Sequence, residues 1–225
     1  MPTSRSYGDA CGIGRALDVV GERWALLVVR ELLLGPQRFS DLRGALSNAS
    51  SNVVTDRLRE LEGHGVIRRR KLVPPAGSWV YELTEWGREI EPVLLALGGW
   101  GLRIDVPGPP TTLTGTSVLL FLRGCAHPDP GDAPTVFNLG LDDRTWTVRS
   151  ADGRVNIDIG ECPNAHASLR TDPQTLNTLI GHPAELDAAL SDGRALAEGN
   201  LTALRRLLQD VLLPPLDGKG AHAPC

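Results

Sequence analysis

The densest charge in these 225 residues is Arg68-Arg69-Arg70-Lys71, four consecutive cations. A run of this kind neutralises phosphates. Each cation placed against a nucleic-acid backbone releases a condensed counterion, which gives an affinity that falls with salt and carries no sequence information. Shortly before it, Asn52, Thr55 and Arg59 fall opposite Val54, Leu58 and Leu61, an i, i+4, i+7 apolar stripe. Asn suits adenine and Arg suits guanine in bidentate pairing at base edges. Ser50 and Ser51 stand where such a helix begins, so hydroxyls, free N–H groups and the helix dipole there favour phosphate. Arg38 and Ser40, at the start of the preceding helix, complete the candidate DNA-contacting set.

Other chemistry is weakly represented. Cys11, Cys125, Cys162 and Cys225 form no C-x-x-C pair and have no histidine at metal-ligand spacing, so neither a zinc site nor a disulfide framework is expected. His64, His127, His166, His182 and His222 show no i, i+4 pairing. Gly12-Ile13-Gly14 begins a G-x-G-x-x-G pattern, but Leu17 closes it and no strand-like run precedes it. There is no G-x-S-x-G elbow and no P-loop. The expectation is a protein with no catalytic residues, no cofactor and no metal. Cys11 alone has a candidate redox role, because Arg15 lies one helical turn on and a cation there favours the thiolate.

Composition sets the frame. Hydrophobic residues make up 41% and charged residues 22%, ordinary for a globular protein. The net charge of −4 is uneven: residues 1–104 carry 14 basic and 12 acidic side chains, and residues 105–225 carry 9 and 15. The longest apolar run, Ala25 to Leu34, is interrupted by Arg30 and Glu31 and is shorter than the ~18 residues of a membrane span. Met1 to Ala10 lacks the apolar core of a secretory signal, so the expected location is cytoplasmic, away from the membrane.

The elements that must position the basic and polar residues follow from the pattern. Leu17, Val20, Trp24, Leu27 and Leu34 suit two helices broken near Gly21. Ser40 is read as the N-cap of a short helix, Asp41 to Leu46, with Arg43 exposed. The polar run from Ser47 makes a turn, and the helix Ser51 to Glu62 follows. Two β-prone runs around Pro74-Pro75-Ala76-Gly77 predict a basic hairpin, and Thr84-x-x-Gly87 opens a last helix towards Trp100. Helices, a turn before the last of them and a basic hairpin after it make a winged helix-turn-helix, whose recognition helix enters the major groove.

The segment from Cys11 to Trp100 resembles the HxlR family of winged-helix regulators. The resemblance rests on Cys11 with Arg15-Ala16-Leu17-Asp18-Val19-Val20-Gly21, on Trp24, and on the run Arg30 to Leu42. Thr55-Asp56-Arg57-Leu58-Arg59-Glu60-Leu61-Glu62 and Tyr81-Glu82-Leu83-Thr84-Glu85-Trp86-Gly87 extend it. The resemblance implies a homodimer built from the first helix and the helix after the wing, bound to double-stranded DNA at a palindromic operator. It also implies a backbone contact for Arg57, whose alternative is an ion pair with Glu60. In some such regulators a cysteine at the place of Cys11 senses oxidants or electrophiles. Gly12 replaces the usual Pro, and Ser51-Asn52 the common Pro-Lys, so the operator sequence does not carry over.

Asp105 to Pro110 holds three prolines and a glycine, which places a linker at 105–115 between a DNA-binding domain, 1–104, and a second domain, 116–213; a flexible tail is expected at 214–225. Strands are expected at Ser117 to Leu122, Thr135 to Leu141, Thr145 to Arg149, Val155 to Ile159 and Ala165 to Arg170. Helices are expected after Pro173 and Pro183, and from Leu201 to Leu213 behind an Asn200 cap. The fold class is α+β. The stretch Ala167 to Leu213 resembles the sterol carrier protein type domain, on Leu169, Asp172, Leu176, Ala188-Ala189-Leu190, Gly193-Arg194 and Glu198-Gly199-Asn200-Leu201. That resemblance implies an apolar tunnel between sheet and helices, with Phe121, Phe137, Leu139, Trp146, Val148, Ile157, Leu204 and Leu208 as candidate ligand-binding residues for a hydrophobic small-molecule effector. The expected function is a transcriptional regulator, a repressor, whose operator affinity the effector sets. The alternatives are a thiol-based sensor acting through Cys11, and a lipid carrier or enzyme that uses the winged helix only for dimerisation.

Overall fold

The computed structural model describes residues 6–73, 77–102, 104 and 112–212. The chain divides into two compact units, Met1–Leu94 and Leu95–Cys225. The expected linker around Asp105 to Pro110, the prolines of the hairpin tip and the tail from 214 lie outside the described residues.

The first unit opens with helices α1 (Gly12–Val20), α2 (Ala25–Leu32), α3 (Phe39–Ala45) and α4 (Ser51–Gly63). Strands β1 (Ile67–Lys71) and β2 (Trp79–Leu83) follow, then α5 (Glu85–Arg88); α6 (Glu91–Gly101) begins in this unit and continues into the second. The expected break at Gly21 is present. The core is built from Val28, Val29 and Leu32 of α2, Leu42 of α3, Val54, Leu58 and Leu61 of α4, and Ile67, Val80 and Leu83 of the hairpin. Leu17 and Leu27, whose spacing suggested the first two helices, are 41% and 37% exposed. Ser40 is not the N-cap of α3. The helix begins two residues earlier than expected, behind Arg38, because the Asp41 carboxylate reaches back to accept the Arg38 N–H at 3.2 Å. Gly87 is required by close approach: a Cβ there would stand 2.0 Å from the Val66 carbonyl oxygen.

The second unit contains α7 (Gly115–Cys125), β3 (Thr135–Leu141), β4 (Arg144–Ala151), β5 (Arg154–Ile159) and β6 (Ala167–Thr171). Then come α8 (Pro173–Gly181), a 3₁₀ turn (Pro183–Glu185), α9 (Leu186–Ser191), β7 (Ala195–Gly199) and α10 (Leu201–Gln209). The sheet order is β5-β4-β3-β6-β7, with β3 and β6 parallel and the other neighbours antiparallel. Pairing aligns Phe137 with Val148 and Ala167, Leu139 with Trp146 and Leu169, and Val148 with Ile157. Paired residues share a face, so these side chains form one apolar surface, and all of them are buried. Asp172 and Asn200 cap α8 and α10 by accepting the N–H groups of Thr175 and Ala203.

The last helix, expected to run to Leu213, ends at Gln209, and Val211 instead bridges to Ala126. Two larger sequence expectations fail here. Ser117 to Leu122 is not a strand but the middle of α7. Its apolar residues are nearly continuous, so a two-residue period could be read into them, but Thr114 caps a helix by accepting the Ser117 N–H at 3.1 Å. Strand β7 was not anticipated: Ala195 to Gly199 has little β propensity and forms by pairing along β6. The helical reading of α7 has a direct consequence. Leu119 is fully buried and Phe121 only half-buried, although a strand would put both on one face. Leu119→Ala is expected to lower stability by about 2–5 kcal/mol, and Phe121→Ala by distinctly less, measured by urea unfolding of the second unit's transition.

Candidate nucleic-acid interface

Helix α4 is fixed before it is exposed. Ser50 caps it, its hydroxyl accepting the Val53 N–H at 3.3 Å. Val54, Leu58 and Leu61 are buried, which turns Asn52, Asp56 and Arg59 outward. Asn52 is exposed, and the Arg59 side chain is 76% exposed with only a long 3.7 Å approach to Asp56. Thr55 is half-buried and its hydroxyl donates to the Ser51 carbonyl at 2.8 Å, so it offers an acceptor and a methyl rather than a ready donor. Arg57 differs from its neighbours. It is 15% exposed and its guanidinium meets Glu60 at 2.6 Å and Glu22 at 3.4 Å. The structure therefore places Arg57 between α4 and the α1–α2 corner, away from the outward set.

The turn into α4 depends on Arg43, which sequence reasoning left as an exposed cation. Its guanidinium donates to the carbonyls of Ala49 at 2.5 Å and Leu46 at 3.2 Å, and to the Ser51 hydroxyl at 3.0 Å. Three acceptors from the turn and from the first residue of α4 converge on one planar donor. The signal available in the sequence was only position: an Arg on the last turn of a helix, facing the carbonyls that such a turn leaves unpaired. Arg38 and Ser40 are exposed at the start of α3. The Ser40 hydroxyl donates to Asp41 at 3.2 Å.

In the hairpin, Arg68 lies opposite Glu82, Arg69 opposite Tyr81, Arg70 opposite Val80 and Lys71 opposite Trp79. Glu82 is 5% exposed. Arg68 Nε donates to one of its oxygens at 2.7 Å and Arg70 Nε to the other at 2.8 Å. Burial acts to raise the Glu82 carboxyl, but the two guanidinium groups, Arg70 and Arg68, outweigh it and hold it below the usual Glu value. Arg69 instead lies over the Trp79 ring at 4.6 Å and the Tyr81 ring at 5.9 Å. The hairpin is anchored through Tyr81, whose backbone exchanges hydrogen bonds of 2.9 and 2.8 Å with Gln37. The Gln37 amide in turn donates to the Glu31 carbonyl at 2.7 Å. Glu82, Trp79 and Tyr81 were missed as site residues; the register of a short hairpin would have paired the first of them with the arginine run.

Residues 19–105 match the family described as HxlR-like helix-turn-helix. The HTH-type transcriptional regulator sll1512 of Synechocystis is 42% identical over 92 residues, which cover 40% of this chain and 67% of that protein. YvaP of Bacillus subtilis, also an HTH-type transcriptional regulator, is 38% identical over 86 residues, 38% of this chain and 80% of its own. The chain belongs to the HxlR family. A solved structure described as the redox regulator HypR in its reduced form is 31% identical, covers 40% of this chain and 90% of its own, and has a TM-score of 0.38.

As an HxlR-type protein, the chain is a helix-turn-helix transcriptional regulator rather than an enzyme. Its second unit extends well beyond the matched residues. Cys11 is exposed at the N-terminal boundary of α1, and its N–H donates to the Asp9 carboxylate at 2.9 Å. Helices α1 and α6 expose apolar side chains: Ile13 is 74% exposed, Val93 63% and Trp100 63%, and α6 buries none of its residues. In the second unit, Phe137, Leu139, Trp146, Val148, Ile157, Leu204 and Leu208 are all buried, and Phe121 is half-buried on α7. The indole N–H of Trp146 is buried without an acceptor among the described residues. No described helix is long and apolar enough to cross a membrane. Among the described residues no cluster of His, Cys, Asp or Glu is placed to hold a metal.

The Glu82 clamp makes the hairpin acid-sensitive. A carboxylate held below its unfolded value contributes stability that is present above the ordinary Glu range and is lost as pH falls through the depressed value. Thermal unfolding followed from neutral pH down to about pH 3, below the ordinary Glu value near 4.3, is expected to show this loss, and Glu82→Gln is expected to remove that part of the pH dependence. Arg43→Ala is expected to lower the melting temperature and to loosen the turn, read as faster amide exchange at Ala49 to Val53.

Proposed function

We propose that this HxlR-type regulator binds double-stranded operator DNA as a homodimer, with α4 in the major groove and the β1–β2 hairpin along the backbone. The observation that carries this reading is the outward face of α4. Asn52 and Arg59 are exposed on a helix whose opposite face is locked in the core and whose entry turn is pinned by Arg43. A rigid helix presenting an amide and a guanidinium is the chemistry of base-edge readout. Ser50 and Ser51 at the same helix's N-terminus, and Arg38 and Ser40 at the start of α3, supply phosphate contacts. Arg57 keeps α4 in place through Glu22 and Glu60.

The exposed apolar residues of α1 and α6 support a two-fold assembly. A monomer does not leave Ile13, Val93, Leu97 and Trp100 in water without cost, and a second copy is the occupant the family resemblance supplies. A palindromic operator follows from a symmetric dimer.

The second unit is read as the effector domain, in a repressor whose operator affinity the effector modulates. A helix, three strands, a crossover to a parallel strand, two helices, a strand and a last helix give a sheet with one apolar face, in keeping with the sterol-carrier resemblance. Trp146 adds a donor without an acceptor in that apolar surround, which suits a hydrophobic guest bearing one polar oxygen. A second reading has its own observation: Cys11 is exposed at the start of α1, so oxidation there would act on the same helix that the dimer uses.

Three measurements test these assignments. Asn52→Ala and Arg59→Ala are each expected to weaken binding to the operator by roughly 10- to 100-fold, the value of one base-edge pair, with binding to unrelated DNA nearly unchanged; footprinting upstream of the protein's own coding region reads the difference. Val93→Glu is expected to shift sedimentation from dimer to monomer. Loss of DNA affinity in a Cys11→Ser protein exactly as in the unsubstituted protein after peroxide treatment would remove the thiol reading.

A further inference from the structure

The four cations of the hairpin are not equivalent, and strand parity divides them. Side chains two apart on a strand share a face. Arg68 and Arg70 therefore lie on the face of Glu82 and Val80, which are 5% and 2% exposed, and both reach the one buried carboxylate. Arg69 and Lys71 lie on the opposite face, with Tyr81 and Trp79, and are exposed there. Swinging Arg68 or Arg70 out to a phosphate would strip a partner from a desolvated carboxylate, an opposing cost that Arg69 and Lys71 do not meet. Arg69 is also already placed. A guanidinium lying 4.6 Å over an indole keeps its N–H edges directed outward and has surrendered much of its rotamer freedom before any duplex arrives. Trp79 is 50% exposed, with Arg69 lying over its ring.

We propose that the hairpin grips DNA phosphates through Arg69 and Lys71 alone, that Trp79 is the positioning residue presenting Arg69, and that Arg68 and Arg70 serve the hairpin by holding Glu82. This rests on the DNA-binding reading above. It makes the phosphate contact of each hairpin two charges rather than four.

Salt titration of the full-length protein decides it, using fluorescence anisotropy with a labelled duplex from upstream of its coding region. Each phosphate contact contributes about 0.9 to the slope of log affinity against log salt. Arg69→Gln with Lys71→Gln is expected to flatten the slope by about 1.8 for each hairpin bound. Arg68→Gln with Arg70→Gln threatens folding, so it is combined with Glu82→Gln, which removes the buried charge; this triple variant is expected to keep the slope of the unsubstituted protein. Trp79→Ala is expected to weaken binding by about two- to five-fold with the slope retained, and Trp79→Phe to restore most of the loss. Equal flattening by the two sets of substitutions, or a Trp79→Ala protein that binds like the unsubstituted one, overturns the proposal. If the unsubstituted protein binds no duplex at any salt concentration, the DNA reading itself falls, an outcome distinct from a protein that binds but treats all four cations alike.

Discussion

The outward surface of the hairpin depends on a carboxylate that points inward. Glu82 is ionised and nearly out of water, and it stays so because two guanidinium groups from the facing strand each take one of its oxygens. A buried ion pair of this kind adds little net stability compared with an apolar replacement, but removing one partner leaves an uncompensated charge and is strongly unfavourable. Its effect is therefore on register. A slip of one residue between β1 and β2 would part Glu82 from Arg68 and turn Arg69 and Lys71 towards the core. The alignment is thus held both by the buried Ile67, Val80 and Leu83 and by the Glu82 clamp.

The same logic runs through the helix-turn-helix. Arg43 and Arg57 look like surface cations in the sequence, yet each is consumed inside the unit, one by turn carbonyls and one by two carboxylates. What remains available on α4 is a small set, chiefly Asn52 and Arg59. A chain with 14 basic residues in its first 104 thus presents far fewer of them to a partner, because several hold the scaffold in shape.

Legibility in the sequence followed the physics of each element. The α4 stripe, the Ser50 cap and the β1–β2 hairpin were readable because periodicity and capping are local. The roles of Arg43 and Glu82 were not, since each depends on which backbone or strand residue arrives opposite. In the second unit β3 was read with its observed ends, because Phe137, Leu139 and Leu141 alternate cleanly with Asn138 and Gly140. Helix α7 was mistaken for a strand because an apolar run buried on most sides carries no clear period, and β7 was missed because its pairing with β6, rather than its composition, makes it a strand.

Helix α6 has 11 residues, Pro92 in its first turn, two adjacent glycines near its end and no side chain in the core. A segment that short is marginal as an isolated helix, since nucleation costs more than a few turns of hydrogen bonds return. In the dimer proposed above, the second copy would cover Val93, Leu97 and Trp100 and lend this segment its helicity. Order in the segment and association of the copies would then be one equilibrium, and dilution would melt the segment as it separates them.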